Sequence, residues 1–265
     1  SKNFPNSNIG IAPHSLRATD KNTIESVVKH VHSYDKHAPI HIHIAEQQKE
    51  VDDCLAHYGK RPVQWLLDNM QLDAQWCLIH ATHINEDERR GIIQANAVAG
   101  ICPTTEANLG DGIFPTKAFL AEQGTFAIGS DSHISVNPIE ELRWLEYTQR
   151  LIHQQRAILT DSNCNSAGLN LWQKAAMGGA QCTNSNTGVL DIGKQADLLV
   201  LDPADNQLFA NSNSTRMDSM IFASQKNPIR DVMVNGQWYI KNRRHKNEQN
   251  SAEAFAELLK TCQTN

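Results

Sequence analysis

The sequence of 265 residues predicts an α/β protein: a stretch of parallel β/α barrel followed by a small antiparallel β module. Three observations carry this. Short apolar segments alternate with helical patterns from residue 8 to about residue 155, as parallel βαβ units require. Three of those segments end in runs rich in metal-ligating and acid–base groups, namely His41-Ile-His-Ile-Ala-Glu46, His80-Ala-Thr-His83 and Gly129-Ser-Asp-Ser-His133. In a β/α barrel the C-terminal ends of the strands are where active sites are built. Beyond about residue 185 the texture changes to short strands joined by turn residues, among them the Asn235-Gly236 dipeptide that tight hairpins favour.

Asn8 to Pro13 reads as a short buried strand ending in the polar loop His14-Ser-Leu-Arg17. Asp20 or Asn22 can cap the next helix, whose Ile24, Val27, Val28 and Val31 keep helical spacing. Pro39 to Ala45 is strand, Gln47 to Tyr58 helix, and Pro62 to Met70 a further helix around Trp65 and Leu66. Trp76 to His80 is strand, and Asn85 to Asn96 is helix with an acidic first turn that complements its dipole. Ala97 to Cys102 is strand. Cys102 to Pro115 is a long polar loop, with turn chemistry at Gly110, Asp111 and Gly112. Pro115 to Glu122 is helix, Thr125 to Gly129 strand, and Pro138 to Gln155 a long helix. The five strands are apolar on both faces, as a covered parallel sheet requires. In the last part, Gly193 to Leu201 is a strand entered from a turn and Asn206 to Asn213 a polar loop. Asp231 to Ile240 forms a hairpin, and Ala252 to Leu259 a small amphipathic helix.

A complete barrel needs eight strands and about 250 residues, and residues 1–184 supply five strands. The expectation is the C-terminal part of a longer chain, lacking an N-terminal segment; Ser1 rather than methionine opens it. Composition is that of a soluble globular protein, 20% charged and 40% hydrophobic. A net charge of -5, with no basic run beyond Lys241 to Lys246, argues against a nucleic-acid partner. No apolar run approaches the roughly 20 residues of a membrane span, and no signal peptide is visible. Cys54, Cys77, Cys102, Cys164, Cys182 and Cys262 show no Cys-x-x-Cys pairing, and several lie in apolar segments. That pattern reads as reduced thiols of a cytoplasmic protein.

Alternation along Ile40 to Ala45 sends His41, His43 and Ala45 to one side of the strand and the isoleucines to the other. His43 is nearest the C-terminal end, and Glu46 follows in the loop. A rim ligand beside a carboxylate suits a metal that activates water and a base that takes its proton. A satisfied core histidine and a helix-entry glutamate are the plain alternative. His41 lies one layer deeper and reads as structural; pairing it with His43 on one metal leaves a fourth rim ligand hard to find. His80 closes its strand, where it can shuttle a proton beside the metal or simply bond a nearby carbonyl. His83 reads as a helix-approach residue. Asp131, just past Gly129, can ligate a metal and accept a proton, or cap a helix. His14 and Arg17 hold the corresponding end of the first strand. The guanidinium there suits a substrate carboxylate, and a surface ion pair is the ordinary alternative. Mixed His and Asp ligands favour zinc, and iron or another divalent ion fits similar geometry.

In this order, the runs HIHIAEQQKEVDDC, RPVQWLLDNM, WCLIHATH, CPTTEANLGDGIFP, IGSDSHIS and EELRWLEYTQRL resemble the amidohydrolase superfamily. The resemblance is to its deaminase-like branch, and within it to the formimidoylglutamate deiminase family. GKQADLLVLD and VMVNGQWYIKNRRH resemble the small β-sandwich domain that accompanies barrels of this superfamily. The resemblance implies the C-terminal part of a metal-dependent (β/α)8 TIM barrel, strands 4–8, within residues 1–184. It implies part of the β-sandwich domain, with a C-terminal helix, within residues 185–265. It implies one divalent metal ion, zinc, held by His43 from strand 5 and Asp131 from strand 8. Glu46 and His80 would be the proton-transfer pair, and Arg17 with His14 would hold the substrate carboxylates. The implied reaction is hydrolysis of N-formimino-L-glutamate to N-formyl-L-glutamate and ammonia in histidine degradation. Family habit also implies a homodimer.

One departure stands out. The family takes two further ligands from a His-x-His on strand 1, and the one His-x-His read here, His41-x-His43, belongs to strand 5. Losing two ligands of four removes most zinc affinity, so the chain by itself is expected to be a half-site with little activity. Two other readings stay open. One is a related deaminase or chlorohydrolase acting on an aminopurine, pyrimidine or triazine, from which an Arg17 pocket for an acyclic dicarboxylate would distinguish it. The other is a non-catalytic fragment, or a binding subunit that completes its barrel with a partner.

Overall fold

The Ile-His-Ile-His-Ile run places β-branched residues at every second position, and it forms strand β1 (Ile40–Ile44) with Ile40, Ile42 and Ile44 fully buried on one face. The protein, seen in a computed structural model, is described for residues 7–209 and 212–263. Strands β2 (Trp76–His80), β3 (Val98–Ile101) and β4 (Thr125–Ile128) follow, and the sheet order β1-β2-β3-β4 is parallel throughout. The register sets His41 opposite Cys77 and Ile44 opposite His80, so the polar strand ends gather at one end of the sheet.

Helices connect these strands, and their ends follow local chemistry. α1 (Lys21–Tyr34) is capped by Asp20, which accepts from the Thr23 amide at 2.8 Å. α2 (Gln48–Tyr58) stops at Gly59 in the left-handed region, and α3 (Pro62–Asn69) opens with proline at its first position. α4 (Glu86–Gln94) starts with a capping box between Asn85 and Glu88. α5 (Pro103–Leu109), α6 (Thr116–Ala121), α7 (Pro138–His153) and α8 (Ala167–Cys182) complete this part. The isoleucines of β1 share one core with Val51, Leu66, Leu78, Phe119, Phe126, Leu142 and Leu171.

Four expectations need correction. The Asn8 to Pro13 segment is not a strand: it runs beside β1 through the isolated bridges Ile11–Ile40 and Ser15–His43, and Ile9 is 67% exposed. The parallel sheet of the described residues therefore has four strands rather than five. The Cys102 to Pro115 loop contains α5, and the stretch after residue 155, where no element is expected, contains α8. The Asn206 to Asn213 loop holds α9 (Asn206–Phe209) and begins a 3-10 turn, Asn213–Thr215; residues 210 and 211 of it lie outside the described residues.

The second sheet is antiparallel, in the order β5 (Leu198–Leu201), β6 (Ile229–Val234), β7 (Gln237–Lys241), β8 (Arg244–His245). Asn235 and Gly236 both have positive φ, 49° and 75°, which matches the twist that a two-residue hairpin needs. Between β5 and β6 the chain returns to the main core. There α10 (Arg216–Asp218) and a π-helical turn (Ser219–Ala223) follow α9, and Leu208, Met220 and Ile221 are buried. Arg143 of α7 ties this return down by donating to the Ile221 and Ser224 carbonyls at 2.6 and 3.0 Å. The C-terminal helix α11 (Glu248–Gln263) is longer than the sequence pattern indicates. Among the described residues no helix is long and apolar enough to cross a membrane. The six cysteines are unpaired; Cys77 alone lies within a strand, and Cys54, Cys102 and Cys182 are also buried.

Candidate active site

Three strand ends and one flanking loop bring the candidate residues together. His43 is the fourth residue of β1, and its ring lies 5.7 Å from that of His80, centroid to centroid, and 5.1 Å from that of His14. His43 Nδ1 meets the His14 carbonyl at 2.8 Å. A carbonyl can only accept, so the neutral imidazole carries its proton on Nδ1 and turns a lone pair outward on Nε2, the tautomer a metal ligand needs. The expectation of a single His-x-His needs correction: His30 and His32 form a second one, but it lies in α1, away from any strand end, where His30 packs on Tyr34.

Glu46 follows β1 at the head of a turn held from below. The Glu50 carboxylate accepts from the Ala45 and Glu46 amides at 3.0 and 2.9 Å. Arg17 donates to Glu46 Oε2 at 2.8 Å and stands 3.9 Å from Glu50. Glu46 Oε1 is 3.8 Å from His80 Nε2, too long for a hydrogen bond and short enough for one small group to touch both.

His80 is fully buried, with φ of 69°. A non-glycine residue in that region costs roughly 1–3 kcal/mol and persists where the surroundings hold it. Here the hold is Glu106 of α5, whose Oε1 meets His80 Nδ1 at 3.2 Å and also accepts from the Cys102 amide at 2.8 Å. Burial alone would push His80 down. The hydrogen bond and charge of Glu106, with the charges of Glu46 and Asp131, outweigh it and hold His80 above its usual 6.5. Burial pushes Glu106 itself above 4.5, against its bonds to His80 and Cys102. His80 Nε2, Thr82 Oγ1 and Asp111 Oδ2 are buried without a hydrogen-bond partner, a pattern that calls for a ligand or water at this rim.

Asp131 follows β4 in an exposed loop, with φ of 46°. Thr105 of α5 braces that loop, donating to the Ser130 carbonyl at 2.7 Å and accepting from the His133 amide at 3.1 Å. Thr104 anchors α5 to α7, donating from its amide and hydroxyl to buried Glu141 at 3.0 and 2.5 Å. His83 has a structural place: its Nε2 donates to the Asp111 carbonyl at 2.7 Å.

The donor chemistry fits a divalent metal in part. His43 and Asp131 offer a nitrogen and an oxygen ligand of the kind zinc takes. Among the described residues, however, the groups of three or more donors gathered within 4.8 Å are His80–Cys102–Glu106 and His41–Cys77–Cys182, and neither includes His43 or Asp131. Sequence reasoning missed Glu106, Glu50 and the two threonines. For Glu106 the available signal was Pro103 three residues before an acid, the start of a short helix.

The chain is 47% identical over 251 residues to the formimidoylglutamate deiminase of Pseudomonas aeruginosa, 95% of this chain and 55% of that protein. It is 29% identical over 231 residues to the 5-methylthioadenosine/S-adenosylhomocysteine deaminase of Shouchella clausii, 85% of this chain and 51% of the relative. The chain thus spans about half the length of these curated relatives. Among solved structures, an amidohydrolase from Brucella melitensis superposes with a TM-score of 0.89 at 40% identity, over 98% of this chain and 56% of that one. A zinc-bound adenosine deaminase from Xanthomonas campestris shares the fold, with a TM-score of 0.83 at 22% identity, over 95% of this chain and 56% of that one. The amidohydrolase family profile matches residues 5–239, most of the sequence, and this chain belongs to the amidohydrolase family.

Proposed function

We propose that this site serves the hydrolytic deimination of N-formimino-L-glutamate to N-formyl-L-glutamate and ammonia. The observation that carries the reading is the 47% identity to a formimidoylglutamate deiminase over 95% of the chain. The geometry supports it. When bound by His43 and Asp131, with further ligands from outside this sequence, a divalent cation, zinc in our reading, would supply the Lewis acid that makes water a nucleophile at neutral pH. Glu46 takes a proton from the attacking water on Oε1, and the water oxygen bonds to the formimino carbon as the C=N pair moves to nitrogen. Glu46 returns that proton to the nitrogen and then carries the second proton, from the added hydroxyl, to the same nitrogen; the carbon–nitrogen bond breaks as the carbon–oxygen double bond forms, and ammonia leaves a formyl group behind. His80, held in place by its hydrogen bond to Glu106, donates from Nε2 to the charge developing on oxygen. Arg17 and His14 receive the glutamate carboxylates, Arg17 by sharing the guanidinium that now faces Glu46.

In the same reading the parallel sheet is part of a (β/α)8 barrel, residues 1–184, completed by a segment outside this sequence. Strands β5 to β8 and α11, within residues 185–265, belong to a β-sandwich domain, while the return through Leu208, Met220 and Ile221 packs on the barrel core, and the enzyme is a cytoplasmic homodimer. The chain by itself turns over slowly. Relatives that deaminate nucleosides are less similar, 29% identical, and a nucleoside offers Arg17 no dicarboxylate.

The deciding experiment is the intact mass of the native gene product, with metal content and ammonia release measured on the same sample. A mass well above 29.6 kDa, about one zinc, and ammonia from N-formimino-L-glutamate rather than from 5′-methylthioadenosine support the proposal. A mass matching this sequence with no metal overturns it, and so does ammonia from the nucleoside alone.

A further inference from the structure

Beneath the rim, on the same side of the sheet, lies a second group of ligand atoms that deimination leaves unused. His41 and Cys77 are register partners and the second residues of β1 and β2. They therefore sit toward the N-terminal ends of the strands, one layer below His43. Cys182, the last residue of α8, comes up against them, and its carbonyl accepts from His41 Nε2 at 2.7 Å. Cys77 and Cys182 pack with Val98 and Ala127 in a small buried cluster apart from the main core. One ligand atom from each of His41, Cys77 and Cys182 lies within 4.8 Å of the other two.

Two sulfurs and an imidazole form the donor set that thiophilic d10 ions prefer, and hard ions such as magnesium or calcium do not. Zinc bonds sulfur at about 2.3 Å and imidazole nitrogen at about 2.0–2.1 Å, so its tetrahedral donors stand about 3.5–3.8 Å apart. His41 is half-buried where the cysteines are buried, which leaves an ion a way in beside the imidazole. The two thiols share one hydrogen bond, which pulls the Cys182 thiol down and, together with burial, pushes the Cys77 thiol up.

We propose that His41, Cys77 and Cys182 form a second metal site, for a thiophilic d10 cation of the zinc, cadmium and copper(I) class, at the end of the sheet away from the catalytic rim. Binding sends the remaining thiol protons to solvent and staples the end of α8 to β1 and β2. The site is independent of the substrate assignment, and its test needs no turnover.

Cadmium ion is the probe, added to the chain kept reduced with a phosphine. The expected result is one cadmium bound through sulfur, with thiolate-to-cadmium charge transfer in the ultraviolet and a cadmium-113 resonance typical of two sulfurs and a nitrogen. Cys77→Ser and Cys182→Ser each remove that resonance, while His43→Ala and Cys102→Ser leave it in place. A serine variant that misfolded would lose the signal trivially, so the wild-type resonance is decisive. A one-sulfur or sulfur-free shift overturns the proposal, as does a two-sulfur signal that survives Cys77→Ser.

Discussion

His80 and Glu106 are joined by a buried hydrogen bond of 3.2 Å, from the end of β2 to the first turn of α5. Both groups lie above their ordinary pKa, His80 because Glu106 and the neighbouring carboxylates outweigh burial, and Glu106 because burial dominates. In Glu106→Gln the negative partner is gone and burial is less opposed, so the His80 pKa falls toward or below 6.5. An NMR titration of the His80 imidazole reads this directly, and an unchanged value would sink the account of how His80 is held. The stability consequence has a definite sign. A raised histidine contributes stability that is complete below pH 6.5 and lost as pH climbs through its folded value; a raised glutamate acts in the same direction from 4.5 upward. Wild-type stability toward urea therefore declines across that window more than that of Glu106→Gln.

Arg17 faces Glu46 with about a third of its side chain exposed, so solvent screens the pair and it adds under about 1 kcal/mol to stability. Its expected importance is for substrate. Arg17→Ala, in the native gene product, keeps its metal and its melting behaviour. Its KM for N-formimino-L-glutamate rises roughly tenfold to a hundredfold, the loss of one charge-assisted hydrogen bond. An unchanged KM would remove Arg17 from substrate binding, and a loss of metal would give it a different role.

Glu50 is buried beneath the rim and sets the turn that presents Glu46. Its carboxylate accepts from the amides of Ala45 and Glu46, and Ala45 is buried with φ of 49°. Glu50→Ala strands two amides, at roughly 1–3 kcal/mol each where no water reaches them. Glu50→Gln keeps one acceptor and loses less. Urea unfolding of the pair tests this: equal stability in the two variants would mean that the carboxylate does not hold the turn.

Much of the rim was legible because the polar residues stand where apolar strands stop. His43, Glu46, His80 and Asp131 could be placed from their positions relative to Ile44, Ile79 and Ile128. What the sequence hid depends on contacts between distant segments. α5 has only seven residues, too few to show a helical period, so Glu106 looked like part of a loop. The bridges of Ile11 and Ser15 to β1 look like a strand in sequence, because an apolar pattern does not say how many hydrogen bonds the partner will make. The meeting of Cys182 with His41 spans 141 residues and left no local trace.

The Gly178-Gly179 pair disguises α8 most effectively, since two adjacent glycines ordinarily mark a loop. The structure separates their roles. A Cβ on Gly178 would lie 1.8 Å from the Phe126 carbonyl oxygen, whereas a Cβ on Gly179 would meet nothing within 4 Å. Gly178 thus lets the helix backbone lie directly against β4, and Gly179 only gives up helix propensity. Gly178→Ala is expected to destabilise by about 1–3 kcal/mol or more, because backbone must move to admit the methyl group. Gly179→Ala is expected to stabilise by roughly 0.5–1 kcal/mol through reduced chain entropy in the unfolded state. Urea midpoints of the two variants, measured side by side, should move in opposite directions; a shared sign would mean that α8 does not pack on β4 through Gly178.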